Sequence, residues 1–348
     1  MTPKAIAATA AVAISITIGG ILYTGTVSPV ATTPPPVTTQ APTLPTLMMT
    51  SAYPLNQPAT QYPAETRSLD VGNPYVPAPI VAGFQSIFGT NHIQFNPTMR
   101  ITLVNTLQTP NIFTAVTITT NWGSDDASHV PAIGCKIEGA TASDPTGGAN
   151  GDRHCLIYDA ATGLLHELFA VSVTNGVYSA MSYRMWDTTK NQQGAVGQNS
   201  ADAAGLPILP LLLRYAEAAT GNIPHALRMT INLSRSNANG GVFTAPASHA
   251  SGQNWSSMAY MGQRLYLRAD YPTTGMTPIE LTIIKCLKSY GVVIADNGIS
   301  GLIVADNDSH WGGGTNATNL PDLATMELSD FVIVNSGPII DSTGAAAQ

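Results

Sequence analysis

Apolar positions in this chain come in short blocks, broken every few residues by Gly, Asn, Asp or Pro. Residues 100–107, 113–120, 154–159, 164–173, 226–232, 264–271, 292–295, 302–305 and 331–334 are rich in β-branched or aromatic side chains, and each block predicts a short strand. The sequence DAATG at 159–163 predicts a tight turn that joins two of them as a hairpin. A helical period survives in few places. Residues 210–219 follow Pro210 and run up to Gly221, the arrangement of a helix with proline in its first turn and glycine past its end. Residues 278–290 put Ile279, Ile283, Leu287 and Tyr290 on one stripe with Gly291 beyond it, and place Cys286 on the apolar side. The expected fold is mainly β: a β-sandwich or jelly-roll-like head with two or more short helices. No repeat of fixed period points to a propeller or solenoid.

Ahead of the head, residues 1–23 carry Lys4 and then the uncharged run AIAATAAVAISITIGGILY. That length suits a membrane-crossing helix, so the segment is read as a signal peptide or an uncleaved membrane anchor. With Lys4 on the cytoplasmic side, everything downstream is exported, placing the protein outside the cell or at its surface. Residues 24–80 are rich in Pro and Thr, as in TTPPPVTTQAPTLPTL, and predict an extended linker. A single β-rich domain is expected over 81–340, followed by a tail at 341–348.

Composition narrows the partners. The net charge is −7 with only 14 Lys and Arg, which excludes the clustered basic groups that nucleic-acid binding needs. The 31 Gly and 25 Pro suit many turns between short strands. Cys135, Cys155 and Cys286 lack the close spacing of zinc sites. Cys135 and Cys155 are either a bridge made in an oxidising compartment or two free thiols, and Cys286 is expected in the core.

Three groups of residues carry candidate chemistry. Trp122, Asp125, Asp126, Glu138, Asp152, Arg153 and His154 gather near strand starts, where carboxylates serve as acid and base, hold Ca²⁺, or cap turns. The stretch SADAAGLPILPLLLRYAEAATGNIPHALR at 200–228 mixes an apolar run with Asp202, Arg214, Glu217, His225 and Arg228. Arg214 and Glu217 have the spacing of a surface ion pair, whereas Asp202 needs a partner such as Arg214 or His225 if it is buried. His225 and His249 match no short metal-ligand motif and read as hydrogen-bonded structural histidines, so no metal site is assigned. No GxSxG elbow supports a serine hydrolase. The third group, Asp296, Asn297, Asp306, Asp308, His310 and Trp311, has the aromatic-and-amide character of a sugar-binding surface.

The blocks GDRHCLIYDAATGLLHELF, SADAAGLPILPLLLRY, APASHAS, MGQRLYLRADY and KCLKSYGVVIADNG, followed by DSHW, resemble a family of secreted bacterial proteins without an assigned activity. The resemblance spans roughly 122–334. It implies that Asp152, His154, Asp159, Glu167, Asp202, Arg214, Glu217, His225, Arg228, His249, Asp296, Asp308 and Trp311 occupy family positions. This chain departs from the family's RYDE, since Ala216 follows Tyr215 and leaves Glu217 as the carboxylate there.

The leading expectation is an exported carbohydrate-active protein acting on a polysaccharide or cell-wall glycan. As a glycoside hydrolase it would use a carboxylate pair drawn from Glu138, Asp152, Glu167, Asp202 and Glu217, with His154 beside them. Trp122, Arg214, His225, Arg228, His249, Asp296 and Trp311 would bind substrate, and no cofactor beyond Ca²⁺ is expected. The rivals are a non-catalytic glycan-binding module and a structural subunit of a surface layer or virion.

Overall fold

The computed structural model describes residues 12–18, 21–27, 41–64, 93–120, 122–140, 152–232, 234, 236–237, 240–251, 259–312, 320, 323–327 and 330–347. Residues 1–41 are one compact unit and 42–348 another. In the first, β1 (Val12–Ile18) and β2 (Ile21–Val27) pair antiparallel with Ile18 opposite Ile21. The rest of the leading segment read as a signal peptide or anchor, residues 1–11 and 19–20, lies outside the described residues. The hairpin's Ile, Val and Thr residues are stiff at χ1 and fit a pleated surface, and Gly19 and Gly20 fall between the strands. No helix among the described residues is long and apolar enough to cross a membrane.

The second unit is mainly β. Its first strands are β3 (Gln94–Met99), β4 (Ile101–Val104), β5 (Val116–Ile118), β6 (Cys155–Asp159), β7 (Leu164–Phe169), β8 (Ser172–Thr174), β9 (Val177–Ala180) and β10 (Ser182–Asp187). Helix α1 (Tyr215–Thr220) precedes β11 (Leu227–Ile231), β12 (Ser236–Asn237), β13 (Gly240–Thr244) and β14 (Arg264–Leu267). Helix α2 (Pro278–Ser289) leads into β15 (Val292–Asn297), β16 (Leu302–Asp306), β17 (Phe331–Val334) and β18 (Ile339–Asp341). The largest sheet has the order β17-β14-β15-β11-β16-β3, and a second has the order β10-β7-β6-β4. Smaller sheets are β12-β13-β18 and β5-β9-β8. Side chains of both larger sheets, among them Leu156, Leu165 and Trp186 with Leu227, Met229 and Ile294, share one core.

The sheets are mixed: β11 with β15, β16 with β3, β4 with β6 and β5 with β9 are parallel, which a purely antiparallel jelly roll lacks. Every residue of β6 and β11 is buried, including Asp159, Arg228 and Thr230, so both faces of these strands are covered. The hairpin expected at 159–163 joins β6 to β7, with Gly163 at φ 72° accepting the left-handed turn. Helix α2 begins with a capping box, Thr277 accepting from the Glu280 amide while the Glu280 carboxylate accepts from the Thr277 amide, and it packs on β14 and α1.

The helix expected over 210–219 is shorter. Residues Leu209–Leu211 form a 3₁₀ turn, Leu213 pairs with Ala305 of β16, and only Tyr215–Thr220 is α-helical. Hydrogen bonds to the strand edge, Leu213 N–H to the Val304 carbonyl and Asp306 N–H to the Leu213 carbonyl, replace the intrahelical ones.

Of the expected linker, residues 28–40 and 65–80 lie outside the described residues, but 42–64 are not a spacer. Met48, Met49, Tyr53, Leu55 and Ala59 are buried in the head. Prolines remove backbone donors yet leave carbonyls, and buried arginines take them. Arg214 donates to the carbonyls of Pro45 (2.9 Å) and Thr46 (3.0 Å), and Arg264 to those of Pro54 and Gln57 (both 3.0 Å). The expected tail also folds back: Asp341 lies in β18, and the Ala347 amide donates to the Ile339 carbonyl. A disulfide joins Cys135 to Cys155 across 20 residues, a loop whose closure is worth about 3 kcal/mol, and Cys286 is a free, buried core thiol as expected.

Candidate functional site

Residues 199–203 form one wall of a cavity of about 510 Å³. The turn that carries them is fixed by Gly205, at φ 66°, where an added Cβ would collide with Ser248 and the Gln198 carbonyl. Trp122 and Phe169, their rings 6.4 Å apart, also line the cavity, and Gly241, His249, Ala250, Ser251 and the end of β15 at Asp296 complete the lining. Trp122 is 43 % exposed, a large aromatic left open to solvent at the cavity mouth.

The polar floor is an ion network. Arg228 of β11 is buried and donates to both carboxylate oxygens of Asp202, Nε to Oδ2 at 3.0 Å and Nη2 to Oδ1 at 2.6 Å. Its Nη2 also lies 3.5 Å from Asp296. Asp202 is fully enclosed, and the arginine fork grips both of its oxygens. Asp296 and Asp202 share the Arg228 guanidinium, and two like charges so close to each other oppose ionisation. Burial first, and then the negative charge of Asp202, push the Asp296 carboxyl well above the usual range, against the pull of Arg228.

Beside this network lies a second pair. His154 Nδ1 meets Glu138 Oε2 at 2.8 Å and Nε2 meets the Ala201 carbonyl at 3.1 Å. Glu138 also accepts from Thr98 Oγ1 at 2.9 Å. Burial opposes charge on both groups, but their mutual ion pair outweighs it, holding Glu138 down at about 2 and raising His154 to about 9. His249 Nδ1 contacts the Ala203 carbonyl at 2.8 Å, and burial lowers its pKa.

The structure thus gathers Trp122, Asp202, Arg228, His249 and Asp296, with Glu138 and His154 beneath, from the residues singled out in the sequence. The others lie elsewhere. Asp152 is exposed, on the segment leading to β6. Glu217 is buried away from the cavity, accepting from Arg214 at 2.5 Å and facing His225 Nε2 at 3.3 Å. The surface pair expected of Arg214 and Glu217 is instead a buried clamp on the 42–64 arm, and His225 is its third member. Trp311 is buried too: its indole donates to Asp306 at 2.8 Å and meets the Tyr215 ring edge-on at 5.0 Å, so it offers no stacking face. Asp308 caps the 3₁₀ turn Ser309–Trp311.

Glu167 is structural as well. It accepts from the amides of Ile208 and Leu209 and from the Trp186 indole, bracing the 3₁₀ turn, and burial raises it to about 7. Phe169, Asn199 and Ser251 line the cavity without having been singled out, since an apolar strand end and isolated amide or hydroxyl residues carry no signal of their own. Among the described residues no group of three or more His, Cys, Asp and Glu is arranged to hold a metal ion, so the Ca²⁺ option finds no site there. No protein-family model, curated protein or solved structure matches the chain.

Of the carboxylates expected to supply a pair, Asp202 lines the cavity and Glu138 is reached through His154, whereas Asp152, Glu167 and Glu217 do not line it. A retaining glycosidase separates its carboxyl groups by about 5–5.5 Å and an inverting one by about 6.5–9.5 Å. Asp202 and Asp296 here are bridged by the one Arg228 guanidinium. The site offers a carboxyl group with a raised pKa, an aromatic wall and an ion-paired floor.

Proposed function

We propose that this is an exported carbohydrate-active protein whose cavity seats one unit of a polysaccharide or cell-wall glycan. The observation that carries the reading is the open ring of Trp122, beside Phe169, lining the same cavity as Asp296. An aromatic face takes the C–H face of a sugar, and fixed polar groups such as Asp296, Asn199 and Ser251 take its hydroxyls. Opposite charges on the floor offset one another, which suits an uncharged ligand. The disulfide fits an oxidising compartment outside the cytoplasm. In this reading the two larger sheets form a sandwich-like head, and the chain belongs with the secreted bacterial proteins that share its SADAAGLPILP and ADNG blocks.

A second reading, glycoside hydrolysis, is favoured by one feature, the raised pKa of the Asp296 carboxyl. A neutral carboxyl in a cavity is what protonates a departing glycosidic oxygen. Glucose, mannose and N-acetylglucosamine oligosaccharides, assayed for binding and for release of reducing ends, separate the two. Release that Asp296→Asn abolishes while binding persists supports the hydrolase, and binding without release supports the module. If no oligosaccharide binds, the carbohydrate reading fails.

A further inference from the structure

His154 is wholly buried and has an oxygen acceptor on each ring nitrogen, the Glu138 carboxylate at 2.8 Å and the Ala201 carbonyl at 3.1 Å. A neutral imidazole carries one N–H and would turn a lone pair toward one of these oxygens, so only the imidazolium satisfies both. The charged groups around the ring are Glu138 from the loop after Cys135, Arg228 from β11 and Asp296 from β15. Arg228 disfavours the charged ring, and the two acids favour it.

The pair is mechanically tied on one side and coupled to the cavity on the other. Cys155 follows His154 and is bridged to Cys135, three residues ahead of Glu138, while the Glu138 amide donates to the His154 carbonyl at 2.8 Å. Ala201 lines the cavity and immediately precedes Asp202, and the Phe169 ring lies 5.5 Å from the imidazole. We infer that His154 is a positioning residue for the cavity: braced by Glu138 and protonated on both nitrogens, it holds Ala201 and with it Asp202 in the binding arrangement. The link to binding rests on the carbohydrate reading; the protonation state and its hold on Ala201 do not. The cavity keeps its shape only while the ring keeps both protons.

The test is a pH titration of the full-length protein, labelled with ¹⁵N, following the His154 ring nitrogens and the Asp202 amide by NMR. Both nitrogens are expected to be protonated at pH 7 and one to lose its proton near pH 9, with the Asp202 amide shifting at the same midpoint. Glu138→Gln should move both midpoints down by about two pH units, since one opposite charge close by is worth about 1–3 units. A neutral ring at pH 7 in the wild type, or an Asp202 amide indifferent to the titration, overturns the inference even if the variant fails to fold. In the binding arm, affinity for the oligosaccharide selected above should fall about tenfold in Glu138→Gln at pH 8 and recover at pH 6. Equal loss at both pH values marks a merely structural role and overturns it. If no oligosaccharide binds the wild type at any pH, the carbohydrate reading fails, while the ring titration still decides the role of His154.

Discussion

Replacing Arg228 by Met should expose how much of the site depends on one guanidinium. Arg228 makes two hydrogen bonds to Asp202, at 3.0 and 2.6 Å, both out of reach of solvent, and approaches the partly exposed Asp296 to 3.5 Å. Methionine fills much of the space but leaves Asp202, whose side chain is entirely enclosed, as a carboxylate without its cation. Removing one partner of a buried pair costs about 3–5 kcal/mol, more than the few tenths that a surface pair would lose. For a domain of this size, that is a fall in melting temperature of roughly 10 °C. Combining Arg228→Met with Asp202→Ala removes the orphaned charge, so the double variant should regain at least half of the loss. Thermal and urea unfolding of the four proteins in this cycle measure the coupling directly. A single-variant loss below about 1 kcal/mol, or a double variant no more stable than Arg228→Met, would refute the reasoning.

Two further outcomes follow from other buried groups. Glu167 is raised from 4.5 to about 7, so its contribution is full below pH 4.5 and is lost as pH rises through 7. Urea unfolding at pH 5 and pH 8 should show the Glu167→Gln variant losing about 3 kcal/mol less than the wild type between them, and equal losses would contradict the assignment. Arg214→Met removes the donors to Pro45 and Thr46 and strands Glu217, so proteolysis within residues 42–50 should quicken about a hundredfold, whereas unchanged cleavage would show that the arm is held by its apolar residues alone.

Strands were legible in the sequence where β-branched residues cluster between turn formers. Each predicted block contains a strand, and β17 matches residue for residue. Strand β3 was not legible, because Pro97 argues against a strand; it lies on the edge of the largest sheet, where proline is tolerated. The helix at 210–219 was overestimated because a local pattern carries no information about β16, whose edge takes the hydrogen bonds of Leu213. A Pro-rich composition hid the packing of 42–64, since nothing nearby in sequence announces that Arg214 and Arg264 will accept its carbonyls as partners.

For the site, an isolated Asp in an apolar run was a sound signal, and Asp202 proved to be its centre. Its partner was not the neighbouring Arg214 or His225 but Arg228, placed by the central strand β11. Spacing gave no means of deciding which tryptophan would be buried. Trp311 is tied to Asp306 by its indole N–H, while Trp122 stays open beside Phe169.

Calorimetric titration of the selected oligosaccharide into wild type and Trp122→Ala tests the cavity most directly. Trp122 lies outside the core and its loss should leave the melting temperature unchanged. The account predicts that affinity weakens about tenfold, the equivalent of about 1.4 kcal/mol for one lost stacking face. Equal affinities in the two proteins would contradict it.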